Sequence, residues 1–496
     1  MKKLALLFSL VSVFALSAQT EIEKVKETVS KSDIEGHIYF LADDALKGRA
    51  TGTPELKIAA SYLANSFRRY GVKPNPETGT YYQEVKLKSV SPPKDVAMKI
   101  NDVKITDYAF INAAAFTSKD DAIYLNYGLE DDYKGKEVNG KVIVVKAGSS
   151  QTNDTRAAFG LRRTKQKLAN EHGVAAIIEL LNADDNMWSF IDHNFNEQSL
   201  SVDLGEDDSS GNDIAYVWLL DKEGEMAEQL SSLKTISSKI TIGEKMEEPV
   251  ISQNVIGVVE GTDPKLKNEY IIYSAHYDHV GIGAPDETGD TIYNGARDNA
   301  VGTTTVLSMA ENLAKYPTKR SALFILFTGE EKGLLGSKYY VENPVLPLNQ
   351  MVYCFNSDNA GYNDTSLISV VGLTRTTAEQ NIFNAAKTFG LKAIEDPAKE
   401  QGLFDRSDNV NFARKGIPAP TFSLGFTAFN GDVTKYYHRP GDEAHTLDYD
   451  YLLKFFRTYI LAGRNIANDP ATPRWNEGDK YEEASKELYK VKEIKN

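Results

Sequence analysis

The chain has 496 residues, 41% hydrophobic and 10% aromatic, which is enough apolar material for roughly two to four domains and too much for a disordered chain. Its formal charge of -14 argues against nucleic acid or an anionic membrane surface as a partner. The one cysteine, Cys354, excludes an intrachain disulfide and, set in an apolar run, reads as a small buried hydrophobe.

In chain order, Met1-Lys2-Lys3, the apolar run Leu4 to Leu16 and the small pair Ser17-Ala18 have the parts of a secretory leader, 1–18, too short to span a membrane. Cleavage after Ala18 or Ser17 predicts export to the periplasm or the medium with no stable membrane anchor, and loss of Lys2 and Lys3 takes the charge from -14 to -16. Within 19–92, Asp33 to Leu46 is helical in pattern, Gly48 to Pro54 is a turn, and Glu55 to Tyr70 is an amphipathic helix stopped by Gly71. The pattern breaks at Ser89-Val90-Ser91-Pro92-Pro93, which sets a domain boundary. Over 93–247 the texture turns to short strands: Gly140 to Lys146 is a strand, Arg162 to Gly173 a helix, and Val174 to Ile178 a further strand. His172 and His193 have no ligand partner at useful spacing and read as structural or surface residues. The acidic stretch Gly205 to Gly211 fits a solvated loop better than a calcium loop.

From 248 to 468 apolar runs alternate with helical segments, and three runs end in polar groups. Tyr270 to Ala275 stops at His276-Tyr277-Asp278, Ser321 to Phe327 leads through Thr328-Gly329 to Glu330-Glu331, and Met351 to Phe355 is followed by Asn356-Ser357-Asp358. Gly295-Ala296-Arg297-Asp298-Asn299 opens a helix to about Lys315. Leu367 to Val371, Ala378 to Phe389 and Pro420 to Leu424 continue the alternation; Tyr436-Tyr437-His438-Arg439-Pro440 and a helix from Tyr449 to Ile466 follow, and 469–496 is a charged C-terminal tail. Such alternation predicts an α/β fold with a largely parallel sheet, whose ligands sit beyond the carboxyl ends of the strands. The groups expected to converge there are imidazole and carboxylate, which suit zinc or a similar divalent ion. Carboxylates so crowded repel one another unless cations lie among them, and two ions sharing one bridging carboxylate resolve the conflict.

Taken together, His276-Tyr277-Asp278, Gly295 to Ala300, Gly329-Glu330-Glu331-Lys332-Gly333, Asn356-Ser357-Asp358 and Tyr437-His438 resemble the co-catalytic zinc aminopeptidases, the group of bacterial leucyl aminopeptidase, aminopeptidase Y and glutamate carboxypeptidase II. The resemblance implies a three-layer α/β/α peptidase domain with a mixed, mainly parallel sheet, interrupted at 93–247 by a β-rich region similar to a protease-associated domain. It implies two zinc ions per chain and hydrolysis of N-terminal residues from peptides by a bridging water. Asp298 would bridge the ions, Glu331 and His438 would complete one site, and His276 and Asp358 the other. Glu330 would be the general base, Tyr437 would polarise the carbonyl, and Asp278 would orient His276 through its second nitrogen. A cis peptide is implied at Asp298-Asn299.

Three other readings stay open: a carboxypeptidase acting on acidic dipeptides, a single-zinc transferase resembling glutaminyl cyclase, and a binding module that has lost its ligands. The first needs basic residues at the pocket, the second one ion, the third missing donors. His279 and His445 read as structural or exposed, and Ser274 lies in no nucleophile-elbow pattern. The chain departs from the family at Asn409, where Ser407-Asp408-His is common, and at Asn359, often methionine; both are expected near the substrate pocket.

Overall fold

The structure, a computed structural model, describes residues 19–152, 154–203, 205, 214–233 and 235–493, so the leader 1–18 and most of the acidic loop after Gly205 lie outside the described residues. The chain divides into two compact units, Met1–Val85 with Ser252–Asn496, and Lys86–Ile251.

The first unit's sheet strands include β1 (Met246–Val259), β2 (Tyr270–His276), β3 (Ser321–Phe327), β4 (Met351–Ser357), β5 (Leu367–Val371), β6 (Lys392–Glu395) and β7 (Thr421–Leu424), and β1 belongs to this unit from Ser252 onward. They lie in the order β1-β3-β2-β4-β7-β5-β6. The pairs β2 with β3, β2 with β4, β4 with β7 and β5 with β6 are parallel, whereas β1 with β3 and β5 with β7 are antiparallel. The fold is therefore α/β with a mixed, mainly parallel sheet, as the alternation predicts.

Side-chain alternation along each strand makes two cores. On one face Ile271, Tyr273 and Ala275 of β2 and Ala322, Phe324 and Leu326 of β3 pack with the helices Pro54–Tyr70, Gly302–Lys315 and Tyr449–Asn468. On the other face Ile272, Leu323, Ile325, Phe327 and Cys354 pack against Tyr340, Phe412 and Trp475. The period of two places adjacent residues on opposite faces, and burial on both faces explains why the runs read as continuously apolar.

Three local expectations shift. The helix expected from Asp33 to Leu46 ends at Leu41, because Asp43 turns its carboxylate to the Ala45 amide at 2.9 Å and opens a tight turn in which Lys47 and Arg49 take left-handed backbone, φ 44° and 50°. The helix expected from Arg162 begins at Thr155, capped by the Asp154 carboxylate on the Ala157 amide at 2.8 Å. The expected C-terminal tail is charged but docked on the first unit. Its Trp475 is buried and donates to the Gly416 carbonyl at 3.0 Å, Asp479 pairs with Arg375 at 2.7 Å, and Glu482–Glu493 is helical.

The second unit holds a five-stranded sheet in the order Tyr108–Asn112, Ala215–Leu220, Ala176–Leu181, Val142–Lys146, Ile123–Tyr124, and a four-stranded antiparallel sheet, Val103–Ile105, Val96–Ile100, Ser238–Ile242, Phe116–Ser118. His172 stacks on Tyr133, and exposed His193 pairs with Glu197 at 2.9 Å. Among the described residues no helix is long and apolar enough to cross a membrane.

Candidate metal centre

The carboxyl ends of β2, β3, β4 and β7 meet at one rim of the sheet. β2 ends in His276, the turn after β3 carries Glu330 and Glu331, Asp358 follows β4, and Tyr437 and His438 lie in the loop after β7. Asp298 comes from the irregular turn before the helix Gly302–Lys315, and the Asp298-Asn299 peptide is cis, as the resemblance implies. That turn is fastened to β4: Asn299 donates through Nδ2 to the Ser357 carbonyl at 2.9 Å and accepts at Oδ1 from the Gly302 amide at 3.0 Å. A Cβ on Gly302 would sit 2.4 Å from the Ser357 carbonyl oxygen, so this close approach requires glycine.

The two Asp298 oxygens face different histidines. Oδ1 is 3.2 Å from His276 Nε2, and Oδ2 is 3.1 Å from His438 Nε2. His276 Nε2 also lies 3.3 Å from Asp358 Oδ1, and His438 Nε2 lies 3.1 Å from Glu331 Oε2. Donor atoms on His276, Asp298 and Asp358 lie within 4.8 Å of one another, as do those on His279, Asp298, Glu331 and His438.

Chemistry and spacing both fit a divalent ion. His276 Nδ1 is 3.2 Å from the Asp278 backbone carbonyl, which can only accept, so Nδ1 carries hydrogen and Nε2 aims a lone pair at two carboxylate oxygens. Facing lone pairs need a cation between them. Two ligands on a tetrahedral ion at about 2.0 to 2.1 Å stand about 3.3 Å apart, the separation found here. Without a cation the histidines keep protons instead. Burial works against charge on His276, yet Glu330, Asp358 and Asp298 raise it well above the ordinary imidazole value, and for the same reason His438 is raised to about 10. Burial pushes Asp298 and Glu331 upward, but the facing histidines reverse this, holding Glu331 at about 2 and Asp298 lower still. Glu330 goes the other way. Burial first, with the charges of Asp358, Glu331 and Asp408 overcoming His276, raises it well above the carboxylate range. Among the described residues nothing donates a hydrogen bond to its carboxylate.

The Asp278 side chain differs from its expected place. The carboxylate is 3.8 Å from His276 Nδ1, and the same residue's carbonyl is the nearer partner. Its oxygens instead take the Thr51 hydroxyl at 2.9 Å and the amides of Glu330 and Glu331 at 3.1 and 3.4 Å, so it fixes the turn bearing the glutamates.

Several residues of the site carry no visible pattern in the sequence. His279, expected to be structural or exposed, is buried with Nδ1 2.7 Å from Glu331 Oε1. Asp442 accepts from the amides of Arg297 and Asp298 at 2.9 and 3.2 Å and pairs with the Arg297 guanidinium at 2.9 Å. Arg49, wholly buried, donates to the carbonyls of Tyr277 at 2.9 Å, Asn294 at 2.6 Å, Gly295 at 3.1 Å and Leu41; burial pulls it down to about 10 against Asp278 and Asp298. Asp408 is buried with neither oxygen bonded, and burial pushes its carboxyl up to about 7 against the pull of His276. Exposed His445 stays outside the cluster.

A cavity of about 90 Å³ opens beside the donors. At about 10 to 15 Å³ per water, it has room for one side chain. Carboxylates and the apolar Val371, Leu403, Phe426, Phe429 and Val433 line it, with Arg406 and Tyr437 also in the wall. Asn359 and Asn409, expected near this pocket, do not line it. Asn359 bonds Asn299 at 3.0 Å and the Leu424 amide at 2.9 Å, and Asn409 bonds the carbonyls of Phe404 and Ala419.

An α/β sheet presenting imidazole and carboxylate donors at its carboxyl rim, beside an apolar cavity, defines a metallopeptidase. Residues 254–462 match Peptidase family M28. It is 31% identical over 195 residues to Aminopeptidase YwaD of Bacillus subtilis (strain 168), a match spanning 38% of this chain and 39% of YwaD. It is 24% identical over 468 residues to a probable leucine aminopeptidase 2 of Aspergillus oryzae, spanning 87% and 86%. The solved aminopeptidase from Aneurinibacillus sp. strain AM-1 shares the fold with a TM-score of 0.61 at 23% identity, over 92% of this chain and 98% of that one.

Proposed function

We propose that this chain is a two-zinc aminopeptidase that removes N-terminal residues from peptides. The observation that carries it is the double exposure of Asp298, each of whose oxygens meets a different histidine within 3.2 Å. His276, Asp298 and Asp358 would hold one ion, and Asp298, Glu331 and His438 the other. Bound zinc supplies Lewis acidity that acidifies water and polarises a carbonyl.

The remaining work falls to the chain. Glu330, in the cavity wall with its carboxylate unbonded, takes the proton of the attacking water and delivers it to the departing amine. The Tyr437 hydroxyl, kept protonated by burial, donates to the oxygen where negative charge develops. The carboxylates attract the substrate's free amine, and the apolar wall receives its first side chain, which favours an exopeptidase reading from the amino end. A carboxypeptidase needs several cations at the pocket, and among the described residues Arg406 is the only arginine or lysine lining it. Both donor sets are present, which disfavours a one-ion transferase and a binding module. We also read the unit Lys86–Ile251 as a protease-associated domain, on its two small sheets, and the chain as exported, on the composition of 1–18.

The test is zinc titration of the metal-free protein with hydrolysis of leucine p-nitroanilide, its N-acetylated form and a carboxypeptidase substrate. Activity rising up to two zinc per chain, on the free-amine substrate alone, is expected. Equal cleavage of the acetylated substrate would refute the aminopeptidase.

A further inference from the structure

The cavity wall contains four carboxylates, Asp298, Glu330, Glu331 and Asp358, and one guanidinium, that of Arg406. Among the described residues no carboxylate lies within ion-pair distance of Arg406, and its one side-chain contact is Nη2 donating to the Tyr437 hydroxyl at 3.5 Å. A structural arginine in so acidic a setting would pair with one of those carboxylates, as Arg297 pairs with Asp442 at 2.9 Å. Arg406 does not. It stands exposed at the cavity edge beside Leu403 and Ser407, with most of its donors open. A planar guanidinium is matched in geometry to a carboxylate, which it takes with two parallel hydrogen bonds.

We infer that Arg406 determines specificity by binding a carboxylate of the substrate, so that the cavity selects short or acidic peptides rather than any free amino end. The inference rests on the aminopeptidase reading. The carboxylate has two sources, the C-terminus of a dipeptide or an acidic first side chain.

The experiment measures kcat and KM of the zinc-loaded full chain and its Arg406→Gln and Arg406→Lys variants on two matched pairs. Leu-Ala against Leu-Ala-amide reads the terminal carboxylate, and Glu-Ala-amide against Gln-Ala-amide reads the side chain. The native chain is expected to favour the carboxylate member of one pair about tenfold, through KM. Arg406→Gln brings that ratio to about one, and Arg406→Lys keeps part of it because charge without the planar fork binds less well. If both ratios are the same in native and Arg406→Gln protein while Leu-Ala-amide is cleaved, the inference falls and the aminopeptidase stands. If neither Leu-Ala nor Leu-Ala-amide is cleaved, the aminopeptidase reading fails and takes this one with it.

Discussion

Two buried charge clusters, one in each unit, solve the same problem in opposite ways. In the second unit Glu179 is wholly buried, and its oxygens receive the Lys165 ammonium, the Tyr216 hydroxyl and the Trp218 indole N–H, the last at 2.6 Å; Lys165 also donates to the Lys146 carbonyl at 2.7 Å. One negative charge meets one positive charge, and both Glu179 oxygens are bonded. Burial pulls the Lys165 ammonium down, and Glu179 holds it up. In the first unit at least four carboxylates converge, and what faces them is imidazole nitrogen. A balanced cluster is a piece of core, whereas an unbalanced one has a place for cations. The pair Arg297–Asp442 shows that the first unit also builds balanced charge where its task is to hold a turn.

The largest effects come from the unbalanced cluster. If Asp298 bridges two ions as proposed, Asp298→Ala removes a donor from both, so zinc content should fall well below two per chain and kcat/KM should drop on the order of a thousandfold, about 4 kcal/mol of barrier. Glu330→Gln leaves the donors in place, so zinc stays bound and kcat alone falls by roughly 10² to 10⁴. Elemental analysis beside steady-state kinetics separates the two. Full zinc occupancy in Asp298→Ala would break the contrast, because Asp298 would then be no bridge.

The balanced cluster should respond in stability and not in activity. Lys165→Met leaves Glu179 buried without its cation, a cost of about 3 to 5 kcal/mol for breaking such a pair. Replacing both members, as Lys165→Met with Glu179→Leu, should recover part of it, because no charge is then stranded. Denaturant unfolding of the three proteins tests this. A loss confined to the double variant would mean that Glu179 is held by Tyr216 and Trp218 alone.

His37 gives a milder case in the first unit. Its ring nitrogens lie 2.8 and 2.9 Å from the hydroxyls of Tyr62 and Tyr70, and burial, helped by Arg69 and opposed by Asp33, lowers its pKa to about 4. The unfolded chain takes the proton near the ordinary 6.5 and the folded one does not, so this contribution is intact above about 6.5 and is lost as pH falls through about 4. At 1.36 kcal/mol per pKa unit the loss is at most about 3 kcal/mol. Comparing unfolding free energies at pH 7 and 4.5 for native and His37→Phe protein checks it, and the variant should lose most of the dependence on pH that this histidine adds.

How far the sequence disclosed these clusters depends on where each partner lies along the chain. His276, Glu331 and Asp358 are legible because each stands at the end of an apolar run, and parallel strands bring such ends together whatever the loops do. Asp298 and His438 were reached through family resemblance. His279 is not legible, because its direction depends on the turn after β2, which no periodicity records. Arg49 and Thr51 sit in a turn with no hydrophobic pattern, and their partners, Tyr277 and Asp278, are 228 and 227 residues away. The family pattern puts Asn359 and Asn409 near the pocket, but their amides answer to backbone and side-chain partners instead. The Lys165–Glu179 pair is silent in the sequence, since a lysine on a helix and a glutamate in a strand announce nothing until packing brings them together.

The smallest effect tests whether the two kinds of cluster are joined within one site. Asp278 is a balanced group inside the unbalanced one, holding the Glu330–Glu331 turn with one hydroxyl and two amides. Thr51→Val removes the hydroxyl and keeps the shape. The loss of one hydrogen bond to a buried carboxylate should cost about 1 to 3 kcal/mol, and zinc affinity should weaken by roughly tenfold, the lower end for a group that positions a ligand. With zinc saturating, kcat should stay within about threefold, since the donors and the base are all present. Competition with a chelator of known affinity measures the first quantity, and kinetics at high zinc the second. An unchanged affinity would mean that the two amides alone fix the turn; a collapse of kcat at saturating zinc would mean that Thr51 acts on the reacting groups directly, and balance and imbalance would no longer be separable at this rim.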